Sequence, residues 1–582
     1  GNNAALQLSG AITSAENLVV SGSGENFDGA IRSISGNNVL TGTVALGGSG
    51  TVIAVDSDSL LIDSAAGITG TGFGLNIIGE GNTTITAGIK TGAGANLTKD
   101  GNGALTLNGP NTYTGATTVN DGSVLFSNTT FASSSFLIES GAVVEIKTAD
   151  TLTGVATSFS GAGTLRKTGI GNLVWQTPIV TYQMASGALI DVQEGTLTAG
   201  SNDNDVWTNN LSDLHVASGA VLNGVEANVV VDVISGSGTI STGFNIASYN
   251  NGAGFTIGAD NGSGSFDGII TNGSFTGKIF KKGTGTQKLN GANTYTGTTT
   301  INGGTLVING LQNTATGAVN IATGATLAGT GTLGGAVTNS GTISPGDAGV
   351  GTLTVARSTS ATGAQWAIEY GATSSDKLMV NGNLNLDNTV LNLTELSAPT
   401  APSFVIAECT GTLTGSFANA PTLPSGYSLV IDNVAKQVRV EMASAYATWA
   451  SAKGLTAAND AATADPDGDG HNNLAEFAFD GHPLQAGNGV KSYVFTTDSD
   501  ADVDTNNELV LTIAVRKDAP VFAGSPLTSS IDGIVYTIEG SEDLLSFSSS
   551  VSAVPTPITT NLPATSSADY VYRSFSLSGT NN

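Results

Sequence analysis

The chain has 582 residues, and its 19 Lys and Arg are outnumbered by 46 Asp and Glu, which gives a formal net charge of −27. Nucleic-acid binding requires clustered basic side chains, so we expect no nucleic-acid partner and no attraction to anionic membranes. Charged residues make up 11% of the chain and aromatic residues 6%, whereas Gly occurs 79 times. This composition argues against long helices and predicts an all-β protein.

Cysteine use and hydropathy set two further limits. The single cysteine, Cys409, excludes an internal disulfide, and its apolar surroundings predict a buried, inert thiol. No apolar stretch approaches the roughly 20 residues of a membrane-spanning helix, so we expect no membrane insertion. The chain opens GNNAALQL, without a basic or strongly apolar leader, and we expect a mature product from which any secretion signal has been removed.

Residues 6–96 contain short alternating apolar segments that are separated by Gly, Asn and Ser-Gly turns, as in NLVVSGSG and LNIIGEGNTTITAG. Period-2 alternation recurs along the chain, which disorder does not produce. Each short segment is too polar to enclose its own core, so such segments must stack on neighbours of the same kind. The sequence therefore predicts the opening coils of a β-solenoid.

A repeated segment gives the solenoid its frame. Residues 97–126, LTKDGNGALTLNGPNTYTGATTVNDGSVLF, return 182 positions later at 279–308 as IFKKGTGTQKLNGANTYTGTTTINGGTLVI. Leu105 and Leu107 alternate with polar residues, which gives that strand one apolar face. We expect the single Tyr of each copy, Tyr113 or Tyr295, to fill a corner between strands.

This frame resembles the autotransporter-associated β-strand repeat of secreted bacterial passenger domains. A degenerate copy lies at residues 166–200, and the segments 319–355 and 375–393 resemble sequences that commonly follow such repeats. The resemblance implies a parallel β-helix that serves as a scaffold. It supplies no catalytic residues to carry over.

Two features of the repeat region can be interpreted from the sequence. The Arg166-Lys167 and Lys281-Lys282 pairs occupy nearly the same point of the repeat, which we interpret as surface positions of repeated coils. The segment 207–214, near Asp203, Asp205 and Asp213, breaks the alternation and predicts a projecting loop.

From residue 319 to 442 the alternation continues and then loosens. With stacking at about 4.8 Å per coil, residues 1–442 predict a solenoid about 90 to 100 Å long.

The pattern changes at Ala443. The segment ASAYATWASAKG predicts a helix that ends at Gly454. It is followed by DPDGDGHNNLAE, which fits the twelve-residue calcium loop of an EF-hand. Six residues occupy ligand positions of that pattern: Asp465, Asp467, Asp469, His471 (through its backbone carbonyl), Asn473 and Glu476. Hard oxygen ligands and concentrated negative charge favour Ca²⁺, with a chance Asp-Gly turn as the alternative.

This segment resembles the calcium loops near the C-terminus of many secreted bacterial proteins, a single EF-hand or half of a dockerin. Because dockerins and calcium sensors use paired loops, a structural clip is the better interpretation. It places residues 443–488 between the solenoid and a compact domain.

Residues 489–582 predict a small β-sandwich, with strands at 509–515, 533–539 and 570–577. The segment YTIEGSEDLLSF resembles a motif of secreted proteins from the Verrucomicrobia and related phyla. Asp498, Asp500, Asp502 and Asp504 are either a second cation site or a solvated loop, and without a Gly reversal we favour the loop.

Function follows from this architecture by elimination. The chain has three His residues, His215, His471 and His482, and no zinc motif, nucleophile elbow or phosphate loop, so we expect no enzyme, although parallel β-helices do host polysaccharide-active enzymes. Two extracellular functions remain. The one we favour is a structural subunit that assembles head to tail with copies of itself into a filament, with calcium at the joint to the C-terminal domain. The alternative is a cell-surface adhesin that presents its C-terminal domain to glycans or cells.

Overall fold

A computed structural model describes residues 4–155, 157–175, 180–200, 206–224, 227–242, 254–273, 276–456, 458–499, 507–541 and 544–577. The chain divides into two compact units. The first, which we call the solenoid unit, comprises Gly1–Pro424 and Leu429–Val440. The second, the C-terminal unit, comprises Ser425–Ser428 and Glu441–Asn582.

The solenoid unit is built on one continuous ladder of parallel strands, which we call the long ladder. Each strand except the first and the last pairs with the strand one coil before it and one coil after it, and none of the described pairings joins the two ends of the ladder. Its 18 strands are Thr13–Ser14, Asn37–Leu40, Ser59–Ile62, Asn82–Ile85, Ala104–Leu107, Ser123–Ser127, Val143–Lys147, Thr164–Thr168, Leu189–Val192, Asp213–Val216, Ile234–Gly236, Gly264–Phe266, Thr286–Leu289, Thr305–Ile308, Thr326–Gly329, Thr342–Pro345, Ala364–Tyr370 and Thr389–Glu395.

Further sheets form the other sides of the coils. A nine-stranded sheet comprises Leu6–Ser9, Ile31–Ser35, Thr51–Val55, Leu75–Ile78, Leu97–Lys99, Ala116–Val119, Ser135–Ile138, Thr157–Gly161 and Val180–Met184. A 14-stranded sheet comprises Val230–Val231, Phe255–Ile257, Ile279–Lys281, Thr299–Ile301, Leu311–Gln312, Val319–Ile321, Thr332–Asn339, Thr352–Ser360, Lys377–Val380, Leu384–Asn385, Ser403–Cys409, Leu413–Thr414, Tyr427–Asp432 and Gln437–Met442. Two smaller sheets contain Leu18–Val20, Val44–Leu46, Ile68–Thr69 and Ile89–Lys90, and then Leu152–Gly154, Asn172–Trp175, Thr196–Thr198, Val221–Asn223, Thr239–Thr242 and Ile269–Asn272. A 3₁₀ turn spans Glu25–Phe27.

The predicted parallel β-solenoid is therefore confirmed, with about 17 turns. At about 4.8 Å per turn the stack is about 80 Å long, which is shorter than the sequence predicted. The difference arises because the long ladder has no described strand after Glu395. The later strands of the solenoid unit extend one sheet without completing coils.

The interior follows the predicted alternation. Leu105 and Leu107 are fully buried. In the repeat coils the Asn-Thr-Tyr-Thr-Gly segment forms the third side without a regular strand, and its Tyr points inward. Tyr113 is fully buried, and its hydroxyl lies 2.8 Å from the Thr117 hydroxyl. Tyr295 forms the same contact with Thr299 at 2.7 Å, so the repeated Tyr is a corner residue, as expected.

Two glycines of the frame have different structural reasons. Gly101 adopts a φ of 76°, which side chains disfavour. Gly103 has an ordinary φ, but a Cβ there would lie 2.0 Å from the Gly81 carbonyl oxygen of the preceding coil. The frame therefore needs glycine for coil-to-coil approach as well as for turning.

The repeated lysines contradict the surface interpretation. Lys167 and Lys281 are 2% and 0% exposed, as is the equivalent Lys99 at 1%. The ammonium of Lys167 donates to the carbonyl oxygens of Thr168 (2.8 Å), Gly169 (2.7 Å) and Glu194 (3.1 Å). Burial lowers the pKa of Lys167 to about 8, partly opposed by the Glu194 carboxylate. Each lysine thus binds carbonyl groups of its own turn and of the following coil.

The predicted loop at residues 207–214 is also wrong. Trp207 is fully buried, and its indole donates to the Ala199 carbonyl at 2.8 Å. Its ring stacks on Tyr182 with centroids 4.1 Å apart, at the end of an aromatic column that includes Phe136 and Phe159. Asp213 begins a strand of the long ladder. Asp203 and Asp205 lie outside the described residues.

The C-terminal unit combines two helices with two antiparallel sheets. Helix α1 spans Ala445–Ala452 and is capped by the Ser444 hydroxyl, and helix α2 spans Asn473–Ala478 and is capped by the Asn472 side chain. One sheet contains Ser492–Thr497, Glu508–Arg516, Tyr570–Leu577 and Val551–Val554, and the other contains Leu527–Ile531 and Ile534–Ile538.

The helices and the sheets of this unit share one hydrophobic core. Trp449 of α1 and Phe477 of α2 belong to the same cluster as Ile513, Tyr536 and Phe575 of the sheets. The second sheet has only two described strands, so the helices provide part of the layer that a second sheet supplies in a sandwich.

Candidate metal centre

The Asp465–Glu476 segment forms a tight loop that leads directly into α2. The Asp465 carboxylate accepts hydrogen bonds from the backbone nitrogens of Gly468 (2.8 Å) and Gly470 (3.0 Å), which curls the loop around that side chain. Both glycines have a positive φ, 73° and 90°. Such reversals require glycine, which explains the spacing of the sequence pattern.

The loop brings three predicted ligands together. Carboxylate oxygens of Asp465, Asp467 and Asp469 all lie within 4.8 Å of one another. Throughout the described ranges, no other three His, Cys, Asp or Glu side chains converge in this way. Three like charges at this separation repel one another, and a divalent cation would offset that repulsion.

Four buried oxygen atoms around the loop have no hydrogen-bond donor among the described residues. They are Asp467 Oδ2, Asn473 Oδ1 and both carboxylate oxygens of Glu476. Buried polar atoms are normally paired, because an unpaired one costs about 1 to 3 kcal/mol. Oxygen atoms without protein donors are the ligand type that Ca²⁺ prefers, so this donor set fits the ion.

Glu476 is the most perturbed group of the loop. Its side chain is fully buried in the first turn of α2. Burial raises the pKa of Glu476 to about 7, and the carboxylates of Asp467, Asp469 and Asp465 add to the increase. The backbone of His482 opposes the increase only in part, so the protein places a carboxylate where its negative charge is poorly compensated.

The two remaining predicted ligands are held by different contacts. Asn473 donates from its amide nitrogen to the carbonyls of Asn459 (2.8 Å) and Ala461 (2.9 Å), which fixes the opposite side of the amide as an acceptor. His471 donates from its backbone to Asp469 Oδ1 at 2.8 Å, and its ring nitrogen Nδ1 lies 3.2 Å from the same oxygen. Its imidazole is thus associated with Asp469.

Residues that the sequence did not single out hold α2 in place. Tyr570 donates its hydroxyl to the Phe477 carbonyl at 2.9 Å, and Tyr536 donates to the Ala478 carbonyl at 2.8 Å. The Arg516 guanidinium lies 4.9 Å from the ring centroids of both Phe477 and Tyr570. The two tyrosines lie 93 and 58 residues from these carbonyls in sequence, and no local pattern marks them.

Most residues of the second candidate cation site, the acidic segment 498–504, lie outside the described residues. Asp498 is a described residue, whereas Asp500, Asp502 and Asp504 lie outside the described ranges. That alternative stays a prediction.

Comparison with known proteins assigns the repeat. Residues 97–125 and 279–308 match the Passenger-associated-transport-repeat family. The chain is also similar to the adhesin BmaC autotransporter of Brucella suis biovar 1 (strain 1330), with 35% identity over 191 residues. The aligned region covers 32% of this chain but only 5% of that protein. The chain thus carries repeats of the autotransporter-passenger type, which indicate a secreted or cell-surface protein. No described helix is long and apolar enough to cross a membrane.

Proposed function

We propose that this chain is a non-enzymatic adhesin-type protein of the cell surface, in which the solenoid acts as a rigid stalk. The observation that carries the proposal is the parallel ladder of about 17 turns, which contains two passenger-type repeats. A stack of this kind contacts only its neighbouring coils, so it extends along one axis and offers long, regular outer faces. Similarity to an autotransporter adhesin supports the same class of function.

Adhesion can be measured directly with the full chain. Beads coated with the protein are expected to bind to cultured cells or to components of a glycan and matrix array, and soluble protein should compete. Beads coated with unfolded chain serve as the control. Binding no greater than that of the control, for a protein with a folded β-type circular dichroism spectrum, would count against the adhesin proposal.

We also propose that the Asp465–Glu476 loop holds a structural Ca²⁺. Asp465, Asp467, Asp469, Asn473 and Glu476 would supply side-chain oxygens, and His471 would supply its backbone carbonyl. When bound, the ion would neutralise the buried Glu476 carboxylate and partner the unpaired oxygens of the loop. Since α2 belongs to the core of the C-terminal unit, the whole unit should gain stability from the ion.

The calcium proposal is tested by titration calorimetry and thermal unfolding of the full chain with Ca²⁺ and with Mg²⁺. We expect Ca²⁺ to bind and to raise the unfolding temperature of the C-terminal unit, and Glu476→Gln to remove both effects. Asp518→Asn, an equal charge change at an exposed position, is the control. A Ca²⁺ response that persists in Glu476→Gln would refute this ligand set.

Head-to-tail assembly is a second candidate function. The outermost described coil, with strands Leu6–Ser9, Thr13–Ser14 and Leu18–Val20, has described pairing partners on one side only. Further coils or another molecule would complete that edge. Negative-stain electron microscopy with and without a chelator should reveal calcium-dependent filaments if this assembly forms, whereas separate rods in both conditions would exclude it.

A further inference from the structure

One outward-facing row of the long ladder changes its chemistry near the end of the solenoid. In the preceding coils, from Glu145 to Lys288, this row carries polar or charged side chains such as His215. The next two coils place Val307 and Ala328 in the same row. These two side chains point away from the core, yet they are only 4% and 9% exposed. Another segment of the chain must therefore shield these two outward-facing side chains from solvent.

The cover is the segment 345–351, PGDAGVG, which we call the strap. Gly346 exchanges two backbone hydrogen bonds of 2.9 Å with Gly329, one coil earlier. Asp347 accepts from Lys288 Nζ at 2.6 Å and from the Asn309 amide at 2.8 Å. The strap thus reaches back across three rungs of the ladder and is fixed there by an ion pair.

The other end of the strap is held by a different carboxylate. Asp376 is fully buried and accepts from the backbone nitrogens of Gly351 and Glu369, each at 2.8 Å. A loop rich in glycine would otherwise be mobile, so these contacts at both ends fix the strap over Val307 and Ala328.

A groove of about 450 Å³ lies at the strap. Leu396, which is 52% exposed, gives it an accessible apolar wall above the nearly buried Val307 and Ala328, and Glu369 gives it a carboxylate. The charge of the other acidic lining residue, Asp347, is compensated by Lys288. The Glu369 carboxylate has no hydrogen-bond or ion-pair partner among the described residues. The groove therefore combines apolar walls with one uncompensated negative charge.

We propose that this groove binds a lysine or arginine side chain of a partner polypeptide. The aliphatic stem of such a side chain matches the exposed Leu396, and its charged end matches Glu369. Charge complementarity selects this occupant, because a carboxylate beside an apolar wall disfavours anionic ligands, and a purely apolar ligand would bury the charge unpaired. The inference does not require that the solenoid act in adhesion.

Site-specific crosslinking of the full chain tests the proposal. The probe is the tripeptide acetyl-Gly-Lys-Gly-amide with a water-soluble carbodiimide, which joins a carboxylate to a nearby amine, and mass spectrometry locates the product. We expect labelling of Glu369 to exceed that of the exposed Glu139 by about tenfold, the effect of one charge-assisted contact. The corresponding arginine peptide should compete at Glu369 but not at Glu139, and the norleucine peptide should compete weakly.

A variant supplies the proposed ligand from within the chain. Leu396→Arg places a cationic side chain on the exposed wall of the groove, and it should reduce labelling of Glu369 about tenfold. Thr106→Arg, on the same outward row far from the strap, should leave it unchanged. Equal labelling of Glu369 and Glu139 in the wild type, or no competition by the arginine peptide, would overturn the proposal whether or not the variants fold.

Discussion

At the residue scale, the solenoid contains buried lysine side chains that bind backbone carbonyl groups. Lys99, Lys167 and Lys281 lie inside the solenoid because carbonyl groups from two successive coils converge on each ammonium. A corner made of glycine has no side chains to fill it, and its carbonyl groups would remain unpaired. The long side chain of lysine fills the space and supplies donors at the same point.

This role predicts a large difference between neighbouring lysines. Lys281→Met should lower the free energy of unfolding by about 2 kcal/mol, because it leaves buried carbonyl groups without a donor. Lys282→Met, at the exposed adjacent position, should change it by less than about 0.5 kcal/mol. Urea unfolding followed by circular dichroism measures both, and equal effects would exclude the proposed carbonyl-binding role.

Asp376 predicts a pH dependence of the solenoid. Burial raises the pKa of Asp376 to about 6, although hydrogen bonds from the Glu369 and Gly351 nitrogens oppose the increase. Because the folded state binds this proton more tightly than the unfolded chain does, the contribution of Asp376 to stability falls as pH rises from about 4 to 6. The difference in urea midpoint between wild type and Asp376→Asn should change across that window. A constant difference would show that Asp376 titrates at its ordinary pKa.

At the scale of elements, α2 is the short helix around which the C-terminal unit is organised. A helix of six residues has little stability of its own. The Asp465–Glu476 loop adjoins its N-terminal end, and two tyrosine hydroxyls bind its last carbonyls. Loss of either support should loosen the other.

The tyrosine contacts can be removed one at a time. Tyr570→Phe keeps the ring beside Arg516 but removes the hydroxyl that pairs with the Phe477 carbonyl, so we expect a loss of about 1 to 2 kcal/mol in the C-terminal unit. Tyr572→Phe removes a hydroxyl that donates to the more exposed Pro563 carbonyl and should cost less. Emission of Trp449, whose ring centroid lies 5.5 Å from that of Phe477, reports the unfolding. A larger loss in Tyr572→Phe would contradict this account.

The elements were largely predictable because alternation is a local signal. The strands that include Leu105, Leu107 and residues 570–577 appear where the pattern placed them, and α1 begins near the predicted residue. The burial of Lys99 could also have been predicted, since its side chain points to the same face of the strand as that of the buried Leu97. The burial of Trp207 could not have been predicted, because it depends on stacking against Tyr182 in the preceding coil. Trp207 lies in a turn, where no strand alternation marks which side chains are buried. The convergence of Asp465, Asp467 and Asp469 in one loop was predictable from spacing alone, whereas the strap groove depends on contacts across several coils.

For the whole molecule, the two units differ in what stabilises them. The solenoid unit depends on stacking between coils, and its described residues contain no convergent acidic cluster of the kind found at Asp465. The C-terminal unit is small, and its core includes the helix that carries Glu476. Conditions that change calcium should therefore act on one unit and leave the other unaffected.

Scanning calorimetry of the full chain should show this separation. We expect two transitions, of which only one moves to lower temperature on addition of a chelator, because a ligand stabilises only the unit that binds it. Glu476→Gln should show the lower transition with or without calcium. One cooperative transition that moves as a whole would contradict independent stabilisation of the two units.

The aromatic column gives the solenoid an optical property that its repeats do not require. From Phe136 through Phe159 and Tyr182 to Trp207, successive rings lie 5.0, 5.7 and 4.1 Å apart with interplanar angles of 12°, 16° and 23°. Each ring comes from a different coil, so coupling of their electronic transitions depends on coils remaining stacked. Near-ultraviolet circular dichroism should consequently lose this signal when these four coils separate, while far-ultraviolet spectra still record the strands of the other coils. Excitation energy absorbed at Tyr182 should also pass to Trp207, whose emission would then report the spacing between adjacent coils.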